Sequence, residues 1–161
     1  QKMADVFSPS KRQEIMRHVK PQNTAPEVKL RSLLHKNGFR FRLNRKDLPG
    51  KPDIVLPKYK AVIFVHGCFW HGHSCNRGHR PQTNVDFWNR KIESNIARDK
   101  KDIDLLHAQG WRVLVVWQCE IKKKNEDQLL SRIKDFLYAG VESKKISQCP
   151  SGNYATLNKD L

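Results

Sequence analysis

The stretch HGCFWHGHSC, residues 66 to 75, sets three histidines and two cysteines around a Phe-Trp pair. Thiolate and imidazole are the donors that close a tetrahedral structural zinc site, four at a time. Cys68, His73 and Cys75 are spaced to wrap one ion, with Gly72 letting the chain turn back. Cys119 is the natural fourth ligand, because it follows the run VLVVW as Cys68 follows VIFV. If those runs are parallel neighbouring strands, both thiols emerge at one sheet edge. Cys68 and Cys119 as ordinary buried thiols is the plainer alternative, but three ligand groups within eight residues favour a metal. Spacing leaves His71 open in place of His73. Cys149, in the tail, is expected to be free.

The second chemical signal is LPGKPD, which puts Asp53 at the start of a strand behind a turn. A carboxylate there, facing a basic surface, is a hard oxygen ligand for magnesium in phosphodiester chemistry; a simple turn residue is the alternative. A histidine beside such a metal can act as general base near neutral pH, and His66, His71 and His79 are placed for it. Glu27 is expected in a capping box with Thr24, which holds and orients its carboxylate at a helix N-terminus. Phe69 and Trp70 suit stacking on bases or wedging between base steps. Packing over the metal as its apolar shell suits them equally.

These groups need a scaffold. Ile15, Met16 and Val19 recur at helical spacing, giving a first helix from about Ser10 to Val19. Thr24, Pro26 and Gly38 punctuate a second helix. FRFRL alternates as a strand with one basic face. DIVL and KAVIFV read as a hairpin about PKY, the second strand buried on both faces. A long helix runs from Asn84 to about Gln109, then the buried strand WRVLVVW, then a last helix in EDQLLSRIKDFL, with a loose polar tail from Gly140. Strands joined through a helix crossover predict an α/β fold, a central mixed sheet flanked by helices.

The chain has 161 residues with 31 Lys+Arg against 16 Asp+Glu, a formal charge of +15, which points to a polyanion partner, with nucleic acid favoured. A membrane surface is disfavoured: no long apolar run or clean amphipathic basic helix is present. Four Trp and seven Phe supply a core for one domain over 1–161. Gln1-Lys2 is expected to be a remnant ahead of a natural start at Met3. With no secretion signal visible, a cytoplasmic setting and metal-binding cysteines are expected.

LPGKPDIVLPKYKAVIFVHGCFWHGHSC, FWNRKIESNIARDKKDIDLLHAQGWRVLVVWQCE and SPSKRQEIMRHVKPQNTAPE together closely resemble the very short patch repair (Vsr) DNA mismatch endonucleases, from about Met3 to Leu137. The resemblance implies a restriction-endonuclease-like fold, a variant of the PD-(D/E)xK superfamily. It implies an N-terminal DNA-contacting arm over 3–23, a catalytic core over 24–138 and a polar tail over 139–161. It implies a bacterial enzyme, working at the nucleoid, that nicks double-stranded DNA 5′ of the T in T·G mismatches left by 5-methylcytosine deamination. Asp53 matches the magnesium-binding aspartate, His71 the catalytic base, and His66 and Glu27 two further active-site residues. Cys68, His73, Cys75 and Cys119 match the structural Zn2+ ligands. Phe69, Trp70 and Trp88 match aromatics that insert at the mismatch, Met16 a residue entering from the minor groove, and Lys91 and Asn95 residues close to the mispaired bases. Val65 stands where some members have threonine; a role through its backbone carbonyl on Mg2+ tolerates that change. The strand KAVIFVHG has neither the superfamily's usual acid nor its lysine in place, which fits the resemblance to the patch-repair family, where a histidine takes the lysine's role. Implied partners are a MutL-type repair protein and a cognate cytosine methyltransferase system, with a monomer expected. A restriction-type endonuclease on the same scaffold and a non-catalytic zinc-stabilised DNA-binding module are the rival readings.

Overall fold

The structure, a computed structural model, describes residues 8–18, 22–43 and 45–147. Its order is α1 (Pro9–Arg17), α2 (Ala25–Lys36), β1 (Ile54–Leu56), β2 (Ala61–His66), α3 (Val85–Ala108), β3 (Arg112–Trp117) and α4 (Glu126–Ser147). Thr24 caps α2 in extended conformation, with proline in the first turn as its sequence predicts.

The strands form one mixed sheet in the order β1-β2-β3. β1 and β2 are antiparallel, turning through Pro57–Tyr59 and Lys60 in the left-handed region. β2 and β3 are parallel, and α3 makes the crossover between them. The period-2 alternation of β2 splits its side chains between two cores. Ala61 and Ile63 join Leu30 and Leu34 of α2 and Ile133 and Leu137 of α4 on one face. Val62 and Phe64 join Leu106 of α3, Trp111 and Leu48 on the other. The result is the expected α/β layering, with α2 and α4 on one side and α3 on the other. β2, the central strand, is buried on both faces.

Three details differ from the sequence reading. FRFRL forms no strand: only Arg42 pairs, with Val55, in an isolated antiparallel bridge. β1 is three residues long and offers little edge to extend, while Phe39 turns into the core. β3 is mostly half-buried rather than buried, since β2 is its only neighbour in the described sheet. α4 runs past Gly140 to Ser147, where the sequence predicts a loose tail. α1 ends at Arg17, and Val19 lies outside the described residues, as does Cys149. Among the described residues no helix is long and apolar enough to cross a membrane.

Candidate active site

The parallel register pairs His66 with Trp117, so the chain leaves β2 and β3 side by side. Cys68 and Cys119 each lie two residues beyond that pair. The ligand atoms of Cys68, His73, Cys75 and Cys119 all fall within 4.8 Å of one another. Two glycines make the loop possible. Gly72 sits at φ +65°, where a Cβ would come 2.8 Å from Ile96, and a Cβ on Gly78 would come 1.8 Å from the His73 carbonyl oxygen. His73 stacks on Trp117, with centroids 4.3 Å apart, and its Nδ1 lies 3.6 Å from the Cys119 sulfur. Cys75 is drawn down to about 6, chiefly by its hydrogen bond with His73. Burial and the neighbouring thiols push Cys119 up to about 12. Three sulfurs and one imidazole make a closed, soft donor set that can hold a metal ion. His71 is not part of it.

His71 belongs to a second cluster. Its ring stacks on His66, centroids 3.9 Å apart and 10° from parallel. Its Nδ1 hydrogen-bonds Oδ2 of Asp99. His66 points to the α3 face, as Val62 and Phe64 do, and its ring meets the edge of Trp117 at 5.4 Å. Burial, then the nearby His71, lowers His66 to about 4.

Both rings line a cleft of about 830 Å³ together with Asp53, Glu27, Trp70 and Asp99. Asp53 follows Pro52 and precedes β1, just where backbone pairing with β2 stops. Its Oδ2 takes the place of a strand carbonyl, accepting the Val65 N–H at 2.7 Å. Burial, reinforced by Glu27, raises Asp53 to about 6, against that hydrogen bond and the pull of Arg31.

Glu27 is buried and accepts from the Asn23 N–H (2.9 Å), the Thr24 hydroxyl (2.9 Å) and Arg31 Nη2 (3.0 Å). The expected capping box is therefore not formed. Thr24 donates to the carboxylate instead of accepting from α2, because Asn23, at φ +56°, turns its own N–H toward Glu27.

Phe69, Trp70 and Trp88 pack on each other with centroids 5.2 to 6.1 Å apart, as a unit joining the loop to α3. Trp88 is buried, while Phe87 beside it is 48% exposed. Asn95 is buried and donates from Nδ2 to the Trp70 carbonyl at 2.9 Å. Lys91, one turn before it, is exposed. Met16 stands on α1, and its side chain falls outside the described residues. His79 is exposed and does not line the cleft.

The sequence reading omitted Asp99 and Arg31. The signal for Asp99 was helix phase: it follows buried Ile92 and Asn95 at steps of seven and four residues.

Three comparisons bear on this arrangement. Residues 4–77 match the family model described as DNA mismatch endonuclease Vsr. The Type II nicking enzyme V.XorIIP of Xanthomonas oryzae pv. oryzae is 56% identical over 74% of this chain and 88% of its own. The DNA mismatch endonuclease Vsr of Escherichia coli is 42% identical over 84% of this chain and 88% of its own. In fold the chain is similar to the catalytic domain of homing endonuclease I-Bth0305I, with a TM-score of 0.51 at 22% identity, covering 74% of this chain and 99% of that one.

Proposed function

This chain belongs to the Vsr family of DNA mismatch endonucleases, and on that premise we propose that it nicks duplex DNA on the 5′ side of the thymine in T·G mismatches left by 5-methylcytosine deamination. The observation that carries the reading is the cleft itself. A carboxylate, a paired histidine–aspartate dyad and Trp70, the edge of the aromatic cluster, face one space.

A magnesium ion fits the donors present. Asp53 is a half-buried carboxylate raised to about 6, short of compensating charge and chemically hard. The carbonyls of Lys60, just ahead of β2, and of His66 at its end accept from the β3 side; by strand alternation the Val65 carbonyl faces the opposite edge, the side on which Asp53 accepts the Val65 N–H. Asp53 and the Val65 carbonyl would hold the ion, with Glu27, already bonded to three donors, acting through water. When bound, the ion supplies Lewis-acid stabilisation of the phosphoryl oxygens.

His71 is the general base. Asp99 fixes the proton on Nδ1, leaving Nε2 to take a proton from the attacking water. His66, held neutral by burial, backs His71 through their stacked rings and can donate to a phosphate oxygen. Phe69, Trp70 and Trp88 form the wedge, with Met16 entering opposite from the arm. A T·G pair costs less to unstack than a good pair, which aids selection. Lys91 and Asn95 lie near the mispaired bases. The Cys68, His73, Cys75 and Cys119 set holds structural zinc and ties the ends of β2 and β3. One active site suffices for a nick, so the enzyme works as a monomer, one endonuclease domain in the bacterial cytoplasm at the nucleoid. A MutL-type protein and the cognate methyltransferase system are its partners.

The test is strand-specific nicking of end-labelled duplexes carrying one T·G pair in varied contexts, against T·A and C·G controls, with magnesium and with EDTA. A single nick 5′ of the mismatched T, absent in EDTA and in His71→Ala, supports the proposal. Cleavage of both strands of a matched duplex means a restriction-type enzyme. Binding with no cleavage in any context means a DNA-binding module.

A further inference from the structure

Hydrolysis of a phosphodiester concentrates negative charge on the nonbridging and leaving oxygens, and a fixed cation there stabilises the transition state. Besides the histidines, three basic side chains line the cleft: Lys46, Lys51 and Arg98. The lysines belong to the loop ahead of Asp53. Arg98 stands on α3 next to Asp99, at the histidine pair, and is close enough for its charge to act on His66.

Among the described residues its guanidinium is held by no hydrogen bond. The side chain is 61% exposed, and its described ion pair is a 3.7 Å contact between Nη2 and Asp99 Oδ1, too long for a hydrogen bond. Arg31, near the other end of the site, is by contrast occupied by Glu27 and Asn23. Arginine presents several donors in a planar fork that matches two phosphate oxygens at once. The helix makes the placement firm: Asn95 and Asp99 anchor this face of α3 through Trp70 and His71, and Arg98 projects from the same turn.

We propose that Arg98 is a catalytic residue that binds the nonbridging oxygens of the scissile phosphate and holds them through the transition state. The inference rests on the nicking reading above. In the step it serves, the water oxygen bonds to phosphorus and the bond from phosphorus to the leaving oxygen breaks. The water proton passes to His71 Nε2, and the leaving oxygen takes a proton from solvent. Arg98 exchanges no proton.

The experiment compares wild type with Arg98→Ala and Arg98→Lys. It measures single-turnover nicking of a T·G duplex, affinity for that duplex in EDTA across salt concentrations, and nicking of a duplex with a methylphosphonate at the scissile position. Arg98→Ala is expected to slow nicking by about 10²- to 10³-fold, with Arg98→Lys in between. Binding in EDTA is retained, its log–log salt slope shallower by about one. The methylphosphonate, which removes one nonbridging charge, slows wild type far more than Arg98→Ala. Nicking by Arg98→Ala within threefold of wild type, or equal slowing of both proteins by the methylphosphonate, overturns the proposal. Absence of nicking by wild type instead sinks the nickase reading and this inference with it.

Discussion

His71 and Asp99, 28 residues apart, are joined from Nδ1 to Oδ2, and the same His71 ring lies flat against His66 at 3.9 Å. One edge of the imidazole is thereby locked and the other left for the cleft. An aspartate that only balanced charge would not need to meet one chosen nitrogen; this one selects the tautomer.

Asp99→Asn therefore has a sharp expected effect. The amide keeps the size of the side chain but can donate to Nδ1, which favours the tautomer with its proton on Nε2. Single-turnover nicking should fall by about 10³-fold, with melting temperature and DNA affinity nearly unchanged. A loss below tenfold would show that Asp99 does not set the base.

Asp53 makes stability depend on pH. Its pKa in the fold is raised to about 6 by burial, from about 4 in an unfolded chain. The fold thus prefers the protonated form, and this group's penalty grows as pH rises from about 4 through about 6. In EDTA, Asp53→Asn should gain stability over wild type across that window, by up to about 3 kcal/mol, while losing all nicking. Denaturant melts at pH 4 and pH 7.5 check it; an equal difference at both would refute the linkage. In wild type, rising magnesium should move the acidic limb of the pH–rate profile to lower pH, since the ion competes with the proton.

Much of this was legible in the sequence because periodicity reports burial. The apolar steps of α3 and the runs of β2 and β3 placed the sheet, and the parallel pairing argued from VIFV and VLVVW is the pairing found. That pairing brings Cys119 to Cys68, and the resemblance's choice of His73 agrees with the geometry. The rest depended on tertiary partners. Asp99 sits in ARDKKDID, where an acid among bases looks like a solvated face. Helix phase sets it on the face of Ile92 and Asn95, but its role shows only in the contact with His71. Asn95 was placed beside the bases, yet its amide is bound to Trp70, which spacing cannot show. FRFRL alternates as a strand should, but a ladder needs a partner edge, and β1 offers almost none.

The Cys68, His73, Cys75 and Cys119 cluster joins the ends of two parallel strands that carry His66 and Trp117. Removing the proposed zinc, or substituting Cys68→Ser, should lower the melting temperature by more than about 10 °C and blunt the unfolding transition. One equivalent of zinc per chain should be found by elemental analysis, released with loss of fold by a strong chelator. Retention of the full melting temperature without metal would show that the site has no structural role.

Asn95 offers the most direct way to separate wedge geometry from catalysis. Its Nδ2 satisfies the Trp70 carbonyl in a buried place, and Trp70 in turn packs on Phe69 and Trp88. Asn95→Ala leaves that carbonyl without its donor, at a cost of about 1–3 kcal/mol, and frees the Trp70 backbone to shift. His71, Asp99 and Asp53 are untouched by the change, so the chemical step survives once a mismatch is engaged. The expected result is a lower ratio of T·G to T·A nicking and weaker binding of the mismatched duplex. Asn95→Asp, which sets an acceptor against the carbonyl, should be worse than alanine. If both variants keep the wild-type ratio while nicking more slowly, Asn95 serves the chemistry rather than the wedge.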